Sequence, residues 1–518
     1  MPLQIRHSLA LILVLLCTGC HSHGQFDMAS RLQSDSLPAP QTGPLADATQ
    51  ALLAGHQNET GLYLLRDGLS AFVARVAMIE AARSSLDLQY YIFSSDVSGS
   101  LIISKLLEAA DRGVRVRLLV DDIGTPISNP LVSTLAQHDN ISIRIFNPVA
   151  GRAGVSRSLQ LAFGFSRTNH RMHNKLMLAD HTLLLTGGRN VADEYFANNE
   201  VDFQDIDVIA IGDVVSDGSA SFDEYWNSPV SVPASTLLDA DDADMDLPAL
   251  RRALADFLHE QRDSEFARAL ADSTLGQALL SGEIPLAWGD ASFHADPPSK
   301  AYARDETPQA DYLGNVLRDQ LNTSDGRAWL TSAYFIPGEQ GVDYLASLAQ
   351  KGMDVRILTN SLSTTDVAVV HSGYSRYRQP LLEQEVKLWE LRSEAGQQQR
   401  IHWFKGSSRA SLHAKTFVFD DDRTFIGSIN LDGRSLIQNT EVGLLIHSHA
   451  INQQLSQVFE DWIHGESAWQ LSLDNEGNLL WQGVNGDQTI ELDHDPETSS
   501  WQRFKVWALS LLPIESQI

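Results

Sequence analysis

The chain has 518 residues, 43% hydrophobic and 20% charged, which exceeds the size at which one core keeps growing and excludes wholesale disorder. Its formal net charge of −28, from 66 acidic and 38 basic residues, excludes a general affinity for nucleic acid unless basic residues gather locally. The two cysteines, Cys17 and Cys20, lie in the first 20 residues, so the folded body holds no disulfide, thiolate metal site or cysteine nucleophile.

Arg6 and His7 precede an apolar run from Leu9 to Leu16, and Cys17-Thr18-Gly19-Cys20 follows. Basic, apolar, then small is the order of a secretory signal, here residues 1–19, and the run is too short to span a bilayer. Gly19 before Cys20 resembles a bacterial lipobox, although Cys17 stands where leucine is usual. That likeness implies lipidation of Cys20 on a periplasm-facing envelope protein, and His21 in place of Asp points to outer-membrane sorting. An ordinary signal or a membrane anchor is the alternative.

Residues 20–60 are rich in Ser, Pro, Gln and Gly without periodic hydrophobicity and predict a flexible tether. A first half spans 61–235. There the patterns predict a helix from Ser70 to Ala82, a strand from Leu86 to Phe93, a helix from Leu101 to Arg112 and a strand from Val114 to Asp121, so that the last three form a βαβ unit. The acidic run Asp239 to Asp246 lacks the Gly and Glu of a calcium loop and opens a solvated linker with helical insertion over 236–300.

The βαβ order returns in a second half, 301–465, as Ala328 to Ile336, Gln340 to Lys351 and Asp354 to Asn360. Asp111-Arg-Gly113-Val-Arg-Val-Arg117 is echoed by Gln350-Lys-Gly352-Met-Asp-Val-Arg356. Gly113 lies 60 residues before His173, and Gly352 lies 61 before His413, which is the spacing of a duplicated α/β unit. Residues 466–518 predict hairpins at Asn475-Glu-Gly and Asn485-Gly-Asp, then a helix with Trp501, Phe504, Val506, Trp507 and Leu509. That helix either docks on its own domain or lies in a lipid interface.

Each half carries one copy of the same pattern, within 168–195 and 408–435. His173-Asn-Lys175-Leu-Met-Leu-Ala-Asp180 precedes Gly187-Gly188-Arg-Asn190 by six residues, and His413-Ala-Lys415-Thr-Phe-Val-Phe-Asp420 precedes Gly427-Ser428-Ile-Asn430 by the same interval. One such copy arises by chance with probability on the order of 10⁻⁵. In a strand, His173 and Lys175 share a face, as do His413 and Lys415, so imidazole and ammonium address one ligand together. The same alternation turns Asp180 and Asp420 away and gives them a structural reading within the motif.

Each motif predicts a hairpin that returns Gly188 and Asn190, or Ser428 and Asn430, beside its His-Lys pair, with small residues for close approach to phosphate and amides as donors. Turn caps are the plainer alternative for the two asparagines. Glu441 and Asp207, each at the start of an apolar run, are candidates to accept a hydrogen bond from an imidazole; ordinary strand-end carboxylates are the alternative. Arg144, Arg152, Arg157, Arg167, Arg171 and Lys175 fall in an interval without acids, as do Arg400, Lys405, Arg409 and Lys415, so an anionic substrate is expected.

These residues resemble the phospholipase D superfamily, and within it the bacterial cardiolipin synthases of the C type. Further stretches carry the likeness: Leu88-Gln-Tyr-Tyr, Arg112-Gly-Val-Arg-Val-Arg-Leu-Leu-Val-Asp-Asp, Gly187-Gly-Arg-Asn-Val-Ala-Asp-Glu-Tyr-Phe and Leu511-Leu-Pro-Ile-Glu. The resemblance implies two α/β/α sandwich halves related by a pseudo-two-fold axis around one composite site. It implies catalysis by His173, Lys175 and Asp180 with His413, Lys415 and Asp420, without metal or cofactor. His173 would be the nucleophile and His413 the acid and base. The implied substrates are membrane glycerophospholipids, phosphatidylglycerol as acceptor with phosphatidylethanolamine or a second phosphatidylglycerol as donor, met at a membrane surface. A phospholipase, an envelope nuclease and a non-enzymatic lipid-binding lipoprotein are the competing functions. The charge weighs against the nuclease, and two intact motifs weigh against binding alone.

Overall fold

The computed structural model describes residues 32–125, 128–149, 170–199, 201–238, 243–303, 309–394 and 409–511. Cys20 and the signal lie outside them.

The helix Val97–Asp111 starts where the Asp96 carboxylate accepts the Gly99 N–H. It ends before Gly113, whose φ of 92° is open to glycine at little cost. The chain then reverses into a parallel strand. In the second half, the helix Gly338–Gln350 is followed by Gly352 at φ 93° and performs the same turn.

The first half contains β1 (Thr60–Leu65), β2 (Ser85–Tyr90), β3 (Arg115–Asp121), β4 (Ile141–Phe146), β5 (Leu176–Ala179), β6 (Leu183–Gly187), β7 (Val201–Gln204), β8 (Asp207–Ile211) and β9 (Ser231–Pro233). All but β7 form a sheet in the order β9-β4-β3-β2-β5-β6-β8-β1, with β2, β3 and β4 parallel.

The second half contains β10 (Ala287–Ala295), β11 (Arg327–Ser332), β12 (Asp354–Asn360), β13 (Lys387–Leu391), β14 (Arg409–Leu412), β15 (Lys415–Phe419), β16 (Arg423–Gly427), β17 (Val442–His447) and β18 (Ala468–Leu473). Its sheet runs β18-β13-β12-β11-β15-β16-β17-β10, strand for strand the order of the first. A hairpin, β19 (Leu479–Asn485) and β20 (Gln488–Leu492), extends it beyond β18. The two sheets join where β1 pairs antiparallel with β10.

The helices Gly68–Ala81 and Val97–Asp111 bury Phe72, Met78, Ile103 and Leu107 in one core of the first half, and Gly338–Gln350 does the equivalent in the second. A third core runs across both halves. It takes Leu178, Val208, Phe222 and Trp226 from one and Val418, Ile446, Ile451 and Phe459 from the other, on the faces covered by the helices Val214–Trp226 and His449–Ile463. Apolar burial shared in this way fixes the halves against each other.

Two boundaries differ from the sequence reading. Residues 32–60, expected as part of a flexible tether, are docked: the helix Pro44–Leu53 buries Leu45, and the Arg117 guanidinium donates to the Ser34 carbonyl at 2.6 Å. The backbone of a polar stretch satisfies buried cations, which composition alone does not reveal. The span 236–300, expected as linker and insertion, includes the nine-residue β10, the strand that joins the sheets.

Candidate active site

Each motif histidine stands on a short extended segment that crosses to the other half. β14, which ends just before His413, pairs in parallel with β7 of the first half. The His413 N–H donates to the Gln204 carbonyl at 2.9 Å. In the symmetric position, the His173 N–H donates to the Thr440 carbonyl, and the Thr440 N–H returns to the Arg171 carbonyl, both at 2.9 Å. The backbone of one half therefore sets the position of the other half's imidazole.

The orienting carboxylates cross over too. His173 Nδ1 lies 2.9 Å from Glu441 Oε2, and His413 Nδ1 lies 2.7 Å from Asp205 Oδ2. Donation of Nδ1–H to a carboxylate fixes the tautomer and leaves the lone pair of a neutral ring on Nε2. Both carboxylates are fully buried. Burial pushes Glu441 up to about 7 against the pull of Lys175, and pushes Asp205 up against Lys415 and Arg189.

The two ammonium groups sit beside the rings. Lys175 Nζ donates to the His173 carbonyl at 2.6 Å, and Lys415 Nζ lies 2.9 Å from His413 Nδ1 as well as bonding the His413 carbonyl. Burial drives Lys415 down to about 8 and Lys175 well below its ordinary value, although neighbouring carboxylates raise both. Burial, then Lys175 and Lys415, hold His173 well below an ordinary imidazole; burial, Lys415, Lys175 and His173 itself do the same for His413. All four groups share one field. The Tyr91 ring packs edge-on 5.0 Å from His173, and the Tyr195 ring packs in the same manner 5.0 Å from His413.

Two imidazole-ammonium pairs in one buried field is what the repeated motif requires. The family described as "Cardiolipin synthase, PLD-like domain" matches residues 76–226 and 317–463, one match to each half. The chain belongs to this phospholipase D-like family. It is 39% identical to cardiolipin synthase C of Escherichia coli (strain K12) over 91% of this chain and 99% of that protein. It is 29% identical to cardiolipin synthase A of Pseudomonas entomophila (strain L48) over 77% of this chain and 67% of that one. The crystal structure of phosphatidylserine synthase from Haemophilus influenzae Rd KW20 covers 91% of this chain and 100% of its own with a TM-score of 0.54, and at 12% identity it speaks for the fold. The chain is thus a cardiolipin synthase-like enzyme of the phosphatidyltransferase and phosphodiesterase group.

Within this phospholipase D-like frame, several residues serve otherwise than their sequence suggested. Asp207 orients no imidazole. Its carboxylate takes Arg75 Nη2 at 2.9 Å and lies 3.6 Å from Arg189 Nη1, and Asp205, two residues earlier, faces His413. Asp180 and Asp420 sit at the hairpin turns, both at positive φ. Asp180 accepts the backbone N–H groups of Arg83, Ser84 and Ser85; Asp420 accepts those of Gly326 and Arg327 and pairs with Arg423 at 2.5 Å. These two motif carboxylates fasten each hairpin to the start of a neighbouring strand, β2 or β11; β5 and β15 end one residue before them, so the turn and not strand alternation directs them.

The small residues support the carboxylates. A Cβ at Gly188 would meet Asp205 Oδ1 at 2.1 Å, and the Ser428 hydroxyl donates to Glu441 Oε2 at 2.5 Å. Asn190 Oδ1 accepts from the Ile92 N–H and its amide donates to the Tyr195 hydroxyl at 2.8 Å, while Asn430 Oδ1 accepts from the Tyr334 N–H at 3.4 Å. Of the basic intervals, Arg152, Arg157, Arg167, Arg400 and Lys405 lie outside the described residues. Arg144 is bound to the Trp226 and Leu32 carbonyls, Arg171 pairs with Asp121 at 3.3 Å, and Arg409 is exposed on β14. Lys175 and Lys415 alone of the described set reach the rings.

Sequence reasoning missed Asp205 and a buried pair behind Glu441. Lys300 Nζ bonds Asp296 Oδ2 at 2.7 Å, with both side chains fully buried, and Asp296 Oδ2 accepts the Glu441 N–H at 2.9 Å. Lys300 Nζ also donates to the Ser435 carbonyl. A charged pair inside an apparent linker has no periodic signal, and only its spacing of four hinted at a partnership.

Proposed function

We propose that the enzyme moves a phosphatidyl group from a glycerophospholipid donor to the hydroxyl of phosphatidylglycerol, forming cardiolipin through a phosphohistidine at His173. The crosswise pairs His173–Glu441 and His413–Asp205, with Lys175 and Lys415 between them, carry the reading. His173 Nε2 forms a bond to phosphorus as the bond from phosphorus to the departing alcohol oxygen breaks, and His413 gives that oxygen its proton. His413 then removes a proton from the acceptor hydroxyl, whose oxygen displaces His173. Lys175 and Lys415 hold the non-bridging oxygens as charge develops. Burial, then the neighbouring cations, hold both rings well below an ordinary imidazole, and a bound phosphodiester anion would favour the protonated form of His413. Asn190 and Asn430 hold the neighbouring loops in place through Ile92, Tyr195 and Tyr334.

The relationship to cardiolipin synthases favours the membrane-bound lipid substrate, and the −28 charge disfavours a polynucleotide. No helix among the described residues is long and apolar enough to cross a membrane, and a lipid on Cys20 is the proposed attachment. Lipid extracts of cells expressing the protein are expected to gain cardiolipin, and His413→Ala or His173→Ala to lower turnover about 10⁴-fold or more. Acid-labile, base-stable phosphate on the protein, retained in His413→Ala, is the expected mark of His173 as nucleophile. Phosphatidic acid without cardiolipin would instead make the enzyme a hydrolase.

A further inference from the structure

The helix Ser500–Ser510 carries Trp501, Phe504 and Trp507 at spacings of three, and Leu511 follows four residues on. At about 100° per residue these side chains form one stripe, with buried Val506 on the far side. They are 61%, 50%, 58% and 66% exposed, and neighbouring rings lie 5.5 and 5.8 Å apart. The other large exposed apolar side chains among the described residues occur singly along the chain. A contiguous aromatic row on a water-facing helix is costly to leave uncovered.

The helix is firmly placed. Ser499 and Gln502 close its first turn as a capping box, and Arg376 donates to the Ser510 carbonyl at 2.7 Å. Its base is tied to the rim of the active site. Glu497 Oε2, three residues upstream, accepts from the Ser363 hydroxyl and the Ser393 N–H, in the loops that leave the carboxyl ends of β12 and β13. At those same ends, the Asn360 amide holds the Leu412 carbonyl next to His413, and the Tyr334 hydroxyl donates to Asp366. The charge is local as well: residues 498–511 contain Arg503 and Lys505 and no acid, in a chain of net −28. Lys505 Nζ sits 5.3 Å from the Trp501 ring.

We infer that the Trp501–Phe504–Trp507 stripe enters the interfacial layer of an anionic phospholipid bilayer and holds the rim of the active site against it. Amphipathic aromatics rest at the headgroup level, and the two cations meet anionic headgroups. A second copy of the chain would bring the same cations face to face, which disfavours a dimer on this surface. The purpose of the contact rests on the phosphatidyl-transfer function proposed above, but its detection does not.

The test uses the full chain on vesicles of phosphatidylglycerol and phosphatidylcholine with brominated acyl chains. Tryptophan emission of the wild type is expected to be quenched, and most of that quenching to vanish in the double variant Trp501→Phe, Trp507→Phe, which keeps the stripe apolar. The triple variant Trp501→Ser, Phe504→Ser, Trp507→Ser is expected to turn over vesicle lipid about ten-fold more slowly, with short-chain monomeric lipid turned over within about two-fold of wild type. Unchanged quenching in the double variant overturns the inference. So does equal loss on both substrates, which would reveal a merely structural helix, or a change from dimer to monomer with quenching intact. If the wild type turned over no lipid of either kind, the proposed function would fail while the quenching still decided the surface.

Discussion

The two halves present the same imidazole and ammonium groups on the same backbone, yet they surround them differently. Glu441 is held by the Ser428 hydroxyl, and the Lys300–Asp296 pair stands behind its backbone. Asp205, one methylene shorter, has Gly188 in place of the serine and accepts instead from the N–H of Ile206 at 2.8 Å. Arg189, whose counterpart in the second half is Ile429, donates to the Asp205 carbonyl. Duplicated backbone therefore supplies the geometry, and a few unlike side chains at matched positions give the two orienting carboxylates different surroundings. The proposed in-line transfer needs unequal rings, because one must be free to attack while the other carries a proton.

The largest expected effect tests whether the two dyads differ in kind. Asp205→Asn and Glu441→Gln should each lower kcat about 10²- to 10⁴-fold, because an amide in place of a carboxylate favours the wrong imidazole tautomer. Only Glu441→Gln should also erase an acidic limb near pH 7 in the profile of kcat/KM. Identical profiles for both variants would break the comparison.

An intermediate effect concerns the ammonium groups. Glu441, pushed up to about 7, offers the His173 Nδ1–H a charged acceptor only when ionised, so activity should rise as pH increases through that value. Lys415, brought down to about 8, grips phosphate oxygens only when protonated, so activity should fall above it. Lys415→Arg, which stays charged, should carry the alkaline limb upward by more than one pH unit and leave the acidic limb in place. An alkaline limb that does not move would assign it to another group.

The smallest effect separates the two hairpin carboxylates. Asp180 is buried and accepts three backbone N–H groups, whereas Asp420 is partly exposed and accepts two. Asp180→Asn is expected to cost about 1–3 kcal/mol in denaturant unfolding, and Asp420→Asn less, with residual activity in both. Loss of activity at unchanged stability would return these residues to the chemistry.

Much of this was legible before any coordinates. The duplicated βαβ unit and both hairpins follow from periods of two and 3.6 and from the positions of Gly113 and Gly352, whereas His173 and His413 lie just outside the hairpin strands β5 and β15. The choice between Asp205 and Asp207 was not legible, for a physical reason: a slip of two residues along a strand leaves every side chain on its original face. Only pairing register decides it. Val208 opposite Thr186 matches Leu444 opposite Ile426, which sets Asp205, not Asp207, in the place of Glu441. The exchange of carboxylates between halves was equally hidden, since it depends on how two sheets pack and not on either one. Residues 32–60 misled through composition, because part of their contribution is the carbonyl groups of Leu32, Ser34 and Asp35, offered to Arg144, Arg117 and Arg115.

That exchange has a consequence for the chain as it is made. His173 emerges from the ribosome some 270 residues ahead of Glu441, and until the later segment arrives its ring has neither its anchoring carboxylate nor the Thr440 carbonyl. In the proposed mechanism, a nascent or truncated chain therefore lacks both anchors of its first imidazole, and they arrive together with the second repeat.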